Sequence, residues 1–191
     1  EVISVMHTVY QRLNLPQPII KINNRKLLTG MGIFSGVPDG QLPDLYRSID
    51  KFDKIGADGV EKELVERGIP AEAVARMMNL IQSREAGVKN LDVLDNQMGD
   101  LEAAQVGIAE LRSMATYLDA LGVPTSAYEF DFTMVRGLSY YTGPIFETII
   151  QEPNLGSVTG GGRYDDLIGL FRRESLPTVG MSLGIERIID I

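Results

Sequence analysis

Apolar residues recur at helical spacing through residues 41–123, and immediately after Pro124 the spacing gives way to alternation. A helix buries a stripe that repeats every 3.6 residues, whereas a strand buries every second residue, so the switch divides the chain into unlike structural units. Helix starts are signalled at Pro43-Asp44, Gly56-Ala57-Asp58 and Pro70-Ala71-Glu72. Within this stretch Val74, Met77, Met78 and Ile81 fall at i, i+3, i+4 and i+7, a stripe expected to pack against other helices. The run 101-LEAAQVGIAELRSMATYLDAL-121 is the strongest single helix and is ended by Gly122-Val123-Pro124. Residues 41–123 hold fifteen acids against nine bases, which accounts for six of the eight net negative charges and predicts a solvated, acidic helical unit.

The flanks read differently. Residues 1–13 are helical in pattern and stop at 14-NLPQP-18, 19-IIKIN-23 alternates as a strand, and 25-RKLLTGMGIFSG-36 predicts a short helix closed by Gly36 before an exposed turn at 37–43. After Pro124, 127-AYEFDFTMV-135 predicts a strand with Tyr128, Phe130 and Phe132 on one face and Glu129, Asp131 and Thr133 on the other. A strand at 144-PIFETIIQ-151, a glycine-rich turn and strand at 156-GSVTGGGRYDDL-167, and a strand passing into a helix at 177-PTVGMSLGIERIIDI-191 complete the pattern. The expected fold is α+β: a mixed, chiefly antiparallel sheet with a helical insertion, divided as residues 1–40, 41–123 and 124–191.

Several function classes are closed by composition. The absence of cysteine excludes a thiol nucleophile, a disulfide framework and a thiolate metal site, and the single histidine, His7, sits in a helical pattern and is expected to be structural. No metal-ligand set is expected. A net charge of −8 argues against a generally basic nucleic-acid surface but leaves local arginine clusters free to receive phosphates. No apolar run approaches the roughly 20 residues needed to cross a bilayer, so a cytoplasmic protein without membrane partners is expected. The chain opens and closes within helix-like patterns, at Glu1 and Ile191, and a piece of a longer protein is expected.

Three segments could carry chemistry. In 136-RGLSYYTGPIFE-147 a guanidinium and two phenols stand between glycines; adjacent tyrosines in a strand would point to opposite faces, so a core role explains at most one of them. In 159-TGGGRYDDL-167 three positions lack side chains, which suits either a flexible hairpin or a backbone exposed to an anion, without the spacing of a phosphate loop. Arg187, in 180-GMSLGIERIID-190, stands in the first turn of an expected helix, where a cation opposes the helix dipole unless it faces an anion; a solvated arginine is the alternative.

Taken together, these segments resemble those of histidyl-tRNA synthetases, which are class II aminoacyl-tRNA synthetases. The first is similar to the family's R-G-L-D-Y-Y-T-G, the second to its G-G-R-Y-D-G-L, and the third to the strand and helix of the third class II motif, ending in G-[LIV]-E-R. Further similarity lies in 20-IKINNRKLLTG-30 and 48-SIDKFDKIGADGVEKEL-64, so the resemblance covers nearly the whole chain. It implies the antiparallel-sheet class II catalytic core with an all-helical insertion. The implied reaction is activation of histidine by ATP to histidyl-adenylate, then transfer to histidine tRNA, with Mg²⁺ expected at the phosphates. In that reading Arg136 is catalytic and contacts the histidine carboxylate and the ATP α-phosphate. Tyr140 and Tyr141 line the amino-acid pocket, Gly160, Gly161, Gly162 and Tyr164 wall it, and Arg187 receives the ATP phosphate tail.

The resemblance also implies a homodimer in the full-length protein and a helical insertion near the tRNA acceptor arm. Two departures stand out: Ser139 replaces the family's usual Asp, which bears on the positioning of Arg136, and Asp166 replaces its usual Gly. The first and second class II motifs and the anticodon-binding domain are not in this sequence, so the chain is expected to be the later part of a catalytic domain and inactive by itself. A regulatory, histidine-binding subunit of ATP phosphoribosyltransferase, which shares the fold, is the alternative; the arginines, the tyrosine pair and the long insertion favour the synthetase.

Overall fold

The computed structural model describes residues 1–16, 18–83, 87–135, 140–153 and 156–191. Helix α1 (Val2–Leu13) buries Ile3, Met6 and Tyr10 and stops where Asn14 adopts a left-handed conformation, a step asparagine tolerates better than most residues. The chain then enters β1 (Ile19–Asn24) and passes at once into α2 (Arg25–Ser35). The Asn24 side chain caps α2 by accepting a hydrogen bond from the Lys26 amide at 2.8 Å.

Helices α3 (Leu42–Ile49), α4 (Phe52–Glu66), α5 (Ala71–Ile81), α6 (Val88–Met98) and α7 (Glu102–Ala120) follow. Four further strands, β2 (Tyr128–Phe130), β3 (Pro144–Ile149), β4 (Ser157–Tyr164) and β5 (Thr178–Leu183), precede a short last helix, α8 (Ile185–Ile189).

The strands form one sheet in the order β2-β1-β3-β4-β5. Every neighbouring pair is antiparallel except β1 and β2, which run parallel, with Ile20 opposite Tyr128 and Ile22 opposite Phe130. Parallel neighbours need a crossover connection. Here α2 through α7 supply it, so the helical stretch is housed between two adjacent strands. Its stripes face inward: Leu45, Ile49, Leu64, Val74, Met77 and Ile81 are all fully buried. Helix α7 lies against α2 at a separation that only glycine permits. A methyl group added to Gly107 would sit 2.5 Å from the Leu27 nitrogen, and one on Gly30 would sit 2.6 Å from the Ala104 nitrogen.

Within α4 the non-helical Gly56 (φ 69°, ψ 179°) breaks the run into two helices, so a helix starts after it as the Gly56-Ala57-Asp58 signal implies. The structure revises three local expectations. Val37, expected in an exposed turn, is 4% exposed and belongs to the core. Strand β2 ends at Phe130 instead of running to residue 135. Asp131 is buried there, and its carboxylate accepts hydrogen bonds from the Thr133 amide (2.9 Å) and hydroxyl, which turns the chain out of the ladder. Lastly, the glycines at 160–162 lie in the middle of β4, not in a turn.

Candidate functional site

Residues opposite each other in a sheet share a face. On one face Phe146 and Thr148 of β3 pair with Gly161 and Thr159 of β4, and this side carries the helices: the Tyr10 hydroxyl of α1 donates to Thr148 at 2.9 Å and also meets Thr159. On the opposite face one row runs Lys21, Glu147, Gly160, Ser182, and the next runs Asn23, Ile145, Gly162, Gly180. Three of the four positions contributed to these rows by β4 and β5 are glycine. They leave a floor almost without side chains.

The tyrosines gather above that floor. Tyr140 and Tyr141 have ring centroids 4.6 Å apart, and Tyr164, the last residue of β4, meets Tyr140 edge-on at 5.5 Å and lies 6.4 Å from Tyr141. The expectation that the adjacent pair points to opposite faces fails because both residues precede β3 and neither is in a strand. A cleft of about 220 Å³ is lined by Tyr140, Tyr141, Gly160, Tyr164, Leu167, Gly180, Met181 and Ser182. Contact with the floor is close: a methyl on Gly162 would stand 2.7 Å from the Tyr141 ring, and one on Gly180 would stand 2.6 Å from the Tyr164 hydroxyl. These glycines are required by the rings above them.

Thr142 fastens the tyrosine pair to the end of β4. Its amide donates to the Arg163 carbonyl at 2.9 Å, its hydroxyl donates to Asp165 at 3.0 Å, and the Asp165 amide returns a 3.1 Å bond to that hydroxyl. Burial alone would raise the Asp165 carboxyl, but hydrogen bonds from Arg163 and Thr142 hold it below the usual aspartate value, so it stays ionised as an anchor.

Not every expected site residue comes to the cleft. Gly161 faces the helix-packed side, where a methyl would meet the Gly180 carbonyl at 2.2 Å and the Phe146 ring at 2.6 Å. Arg187 is exposed and donates to the Ser157 carbonyl at the start of β4, about 10 Å along the strand from Gly160. Arg136 and Ser139 lie outside the described residues. Conversely, the sequence reading passed over Gly180, Met181, Ser182 and Leu167, all of which line the cleft. The signal for two of them was the Gly-Met-Ser alternation of β5, which becomes informative only once its register against Gly162 and Gly160 is known.

Lys21 and Asp131 close the sheet's other side of this face, with the ammonium 2.8 Å from the carboxylate. Burial lowers the affinity of Lys21 for its proton, yet the hydrogen bond and charge of Asp131 leave it above the ordinary lysine value. Burial would raise Asp131, yet Lys21 and the Thr133 bonds leave it below the ordinary value. Among the described residues no three carboxylates or imidazoles converge as a metal site would require. A larger groove, about 620 Å³, opens on the helix-packed side between α1, α7 and the sheet; its lining is chiefly apolar, with Glu110 and Arg163 at the β4 end. No described helix is long and apolar enough to cross a membrane.

A family model described as histidyl-tRNA synthetase matches residues 1–188. A histidine–tRNA ligase from Xanthomonas axonopodis pv. citri is 41% identical over 196 residues, covering 98% of this chain and 41% of that protein. A crystal structure of histidyl-tRNA synthetase from Nostoc sp. PCC 7120 superposes with a TM-score of 0.91 at 32% identity, covering 98% of this chain and 44% of that one. A structure from Bacillus halodurans described as an ATP phosphoribosyltransferase regulatory subunit/histidyl-tRNA synthetase shares the fold, with a TM-score of 0.81 at 22% identity over 98% of this chain and 48% of that one. The chain thus spans about two-fifths of the length of the curated relatives it matches.

Proposed function

The chain belongs to the histidyl-tRNA synthetase family, and from that premise we propose that the whole protein activates histidine with ATP to histidyl-adenylate and transfers the histidyl group to the 3′ end of histidine tRNA. The observation that carries this reading is the convergence of three phenol rings on a glycine floor. Tyrosine hydroxyls can both donate to and accept from an imidazole without adding charge, and the floor lets the substrate lie against the sheet. Tyr140, Tyr141 and Tyr164 therefore read the ring, with Gly160 and Gly162 beneath it.

Arg136 holds the carboxylate and the α-phosphate, where a preplaced guanidinium stabilises the charge that develops on the phosphoryl oxygens more than it stabilises the ground state. Arg187, offset along β4, suits the distal phosphates of an extended nucleotide. Mg²⁺ is expected with the ATP, held chiefly through phosphate oxygens and water. Residues 41–123 act as the helical insertion, and 1–40 with 124–191 form part of a catalytic core. The whole protein works as a cytoplasmic homodimer. Identity of 41% to a histidine–tRNA ligase across the chain supports this reading over a regulatory histidine-binding subunit.

The test is histidine-dependent ATP–pyrophosphate exchange by the full-length protein. Tyr141→Phe should raise the histidine KM about fivefold, the worth of one hydrogen bond of ~1 kcal/mol, with the ATP KM unchanged. Arg136→Ala should lower kcat/KM by more than tenfold, that is more than about 1.4 kcal/mol of transition-state stabilisation. An unchanged histidine KM in the first variant, or activity within tenfold of wild type in the second, would refute the assigned roles.

A further inference from the structure

The stretch between Val135 and Gly143 carries the tyrosine pair, and both of its ends are held by one residue that the reaction does not require to touch substrate. The Arg25 amide donates to the Gly143 carbonyl at 3.0 Å, and its guanidinium Nη1 donates to the Val135 carbonyl at 3.4 Å. The same guanidinium lies over the Tyr46 ring of α3, 4.6 Å from its centroid, and the Tyr46 hydroxyl meets that of Thr29, which also donates to the Arg25 carbonyl at 2.9 Å. Arg25 thus joins the helical stretch to both feet of the tyrosine-bearing connection.

Its neighbours on β1 extend the grip. Lys21 pairs with Asp131 at 2.8 Å, and the Asn23 side-chain amide donates to the Met134 carbonyl at 2.9 Å, so residues 21, 23 and 25 take hold of residues 131, 134 and 135 in turn. Residues 131–135 are all buried, and every polar group lost there to an unbonded state is costly. A buried ion pair adds little stability over well-packed apolar residues; what it and the paired carbonyls add is direction. Arg25 is suited to this because its planar fork bonds a carbonyl while its face stacks on an aromatic ring, which an ammonium does less well.

We propose that Arg25 is a positioning residue: it clasps Val135 to Gly143 and so fixes where Tyr140 and Tyr141 stand over the glycine floor, with Tyr46 holding the clasp from the helical side. The inference rests on the tyrosine cleft being the histidine site, but its test separates the two. Hydrogen exchange is followed by mass spectrometry in the full-length protein, using peptides spanning residues 131–143. Arg25→Met, which keeps the stem but removes the donor, should raise exchange there at least tenfold while α5, α6 and the β3–β4 ladder exchange as in wild type. Arg25→Lys, which keeps a donor and the charge over Tyr46, should recover part of that protection.

Histidine titration is run alongside and should show weaker binding by the Met variant. Unchanged exchange in residues 131–143, or an equal rise across all peptides, would overturn the clasp whether or not histidine binds. Tight exchange control without any histidine binding by wild type would instead overturn the function assigned to the cleft and leave the clasp standing.

Discussion

Two adjacent glycines on opposite faces of β4 should separate folding from site geometry. A methyl on Gly161 would stand 2.2 Å from the Gly180 carbonyl oxygen and 2.6 and 2.7 Å from two atoms of the Phe146 ring, itself 2% exposed. The first obstacle is ladder backbone and the second is core, so neither can yield cheaply. Overpacking of this kind costs about 1–3 kcal/mol, and strained or broken ladder bonds between β4 and β5 add about 1 kcal/mol each. Against this, replacing glycine gains about 0.4–1 kcal/mol by restricting the unfolded chain. A net loss of about 3 kcal/mol corresponds, at roughly 2–4 °C per kcal/mol for a chain of this size, to a fall in Tm of about 6–12 °C.

A methyl on Gly162 would instead meet the Tyr141 ring at 2.7 Å and the Pro144 carbonyl oxygen at 2.9 Å. Tyr141 is 8% exposed and the carbonyl is backbone, so Gly162→Ala should lose about 1–2 kcal/mol, or about 2–8 °C, less than Gly161→Ala because its closest backbone contact is 2.9 Å against 2.2 Å. It should nevertheless change the tyrosine near-ultraviolet circular dichroism, a band with no tryptophan overlap because the chain has none. Gly40→Ala, where nothing lies within 4 Å, is the control. The reasoning fails if Gly161→Ala melts within about 2 °C of that control, or if Gly162→Ala is the more destabilised of the pair.

Two further outcomes follow from the helical stretch. Glu63 accepts hydrogen bonds from Lys51 and Arg67, which together with Ser48 bring its carboxyl down to about 2 although partial burial opposes this. Because the folded value lies below the ordinary one of about 4.3, this contribution is complete above that pH and is lost as pH falls towards 2. Glu63→Gln should therefore cost about 1 kcal/mol at pH 7, a modest figure because solvent screens the cluster, and nearly nothing at pH ~2; an equal deficit in melts at both values would contradict it. Gly107→Ala should cost about 2–3 kcal/mol in urea unfolding despite alanine's higher helix propensity, because its methyl would strike the α2 backbone at Leu27. Gly59→Ala, whose methyl would meet the Ile55 side chain at 2.8 Å on an exposed face and not the backbone of another helix, should cost less than Gly107→Ala.

The difference between what the sequence disclosed and what it hid follows the range of the interaction. Helix ends at Gly36 and Gly122 are chemistry of a few consecutive residues, and the start of α5 at Pro70-Ala71 is equally local, so each was legible. Asp131 was not. It alternates with Phe130 and Phe132 as an outward residue would; Lys21, 110 positions earlier, pairs with its buried carboxylate, and the Thr133 bonds turn the chain out of the strand. The alternation pattern alone could not bring Tyr140 and Tyr141 to one cavity, since a strand would have parted the rings that stand 4.6 Å from each other outside any strand.

The glycine run shows how register decides a site that motif matching only locates. Three consecutive glycines in a strand must divide between two faces, and which face receives two depends on how β4 is set against its neighbours. The β3–β4 ladder sets that phase: Ile145 faces Gly162, Phe146 faces Gly161 and Glu147 faces Gly160, and the pairing becomes irregular only beyond Thr148. Shifting β4 by one residue would bring Gly161 onto the site face and turn Gly160, Gly162 and Tyr164 towards the helices. The floor would then carry Thr159 and Arg163 beside a single glycine, and the tyrosine pair would lose the surface on which it rests. The pairing of Glu147 with Gly160 and of Ile145 with Gly162 therefore belongs to the specification of the cleft as much as the tyrosines do.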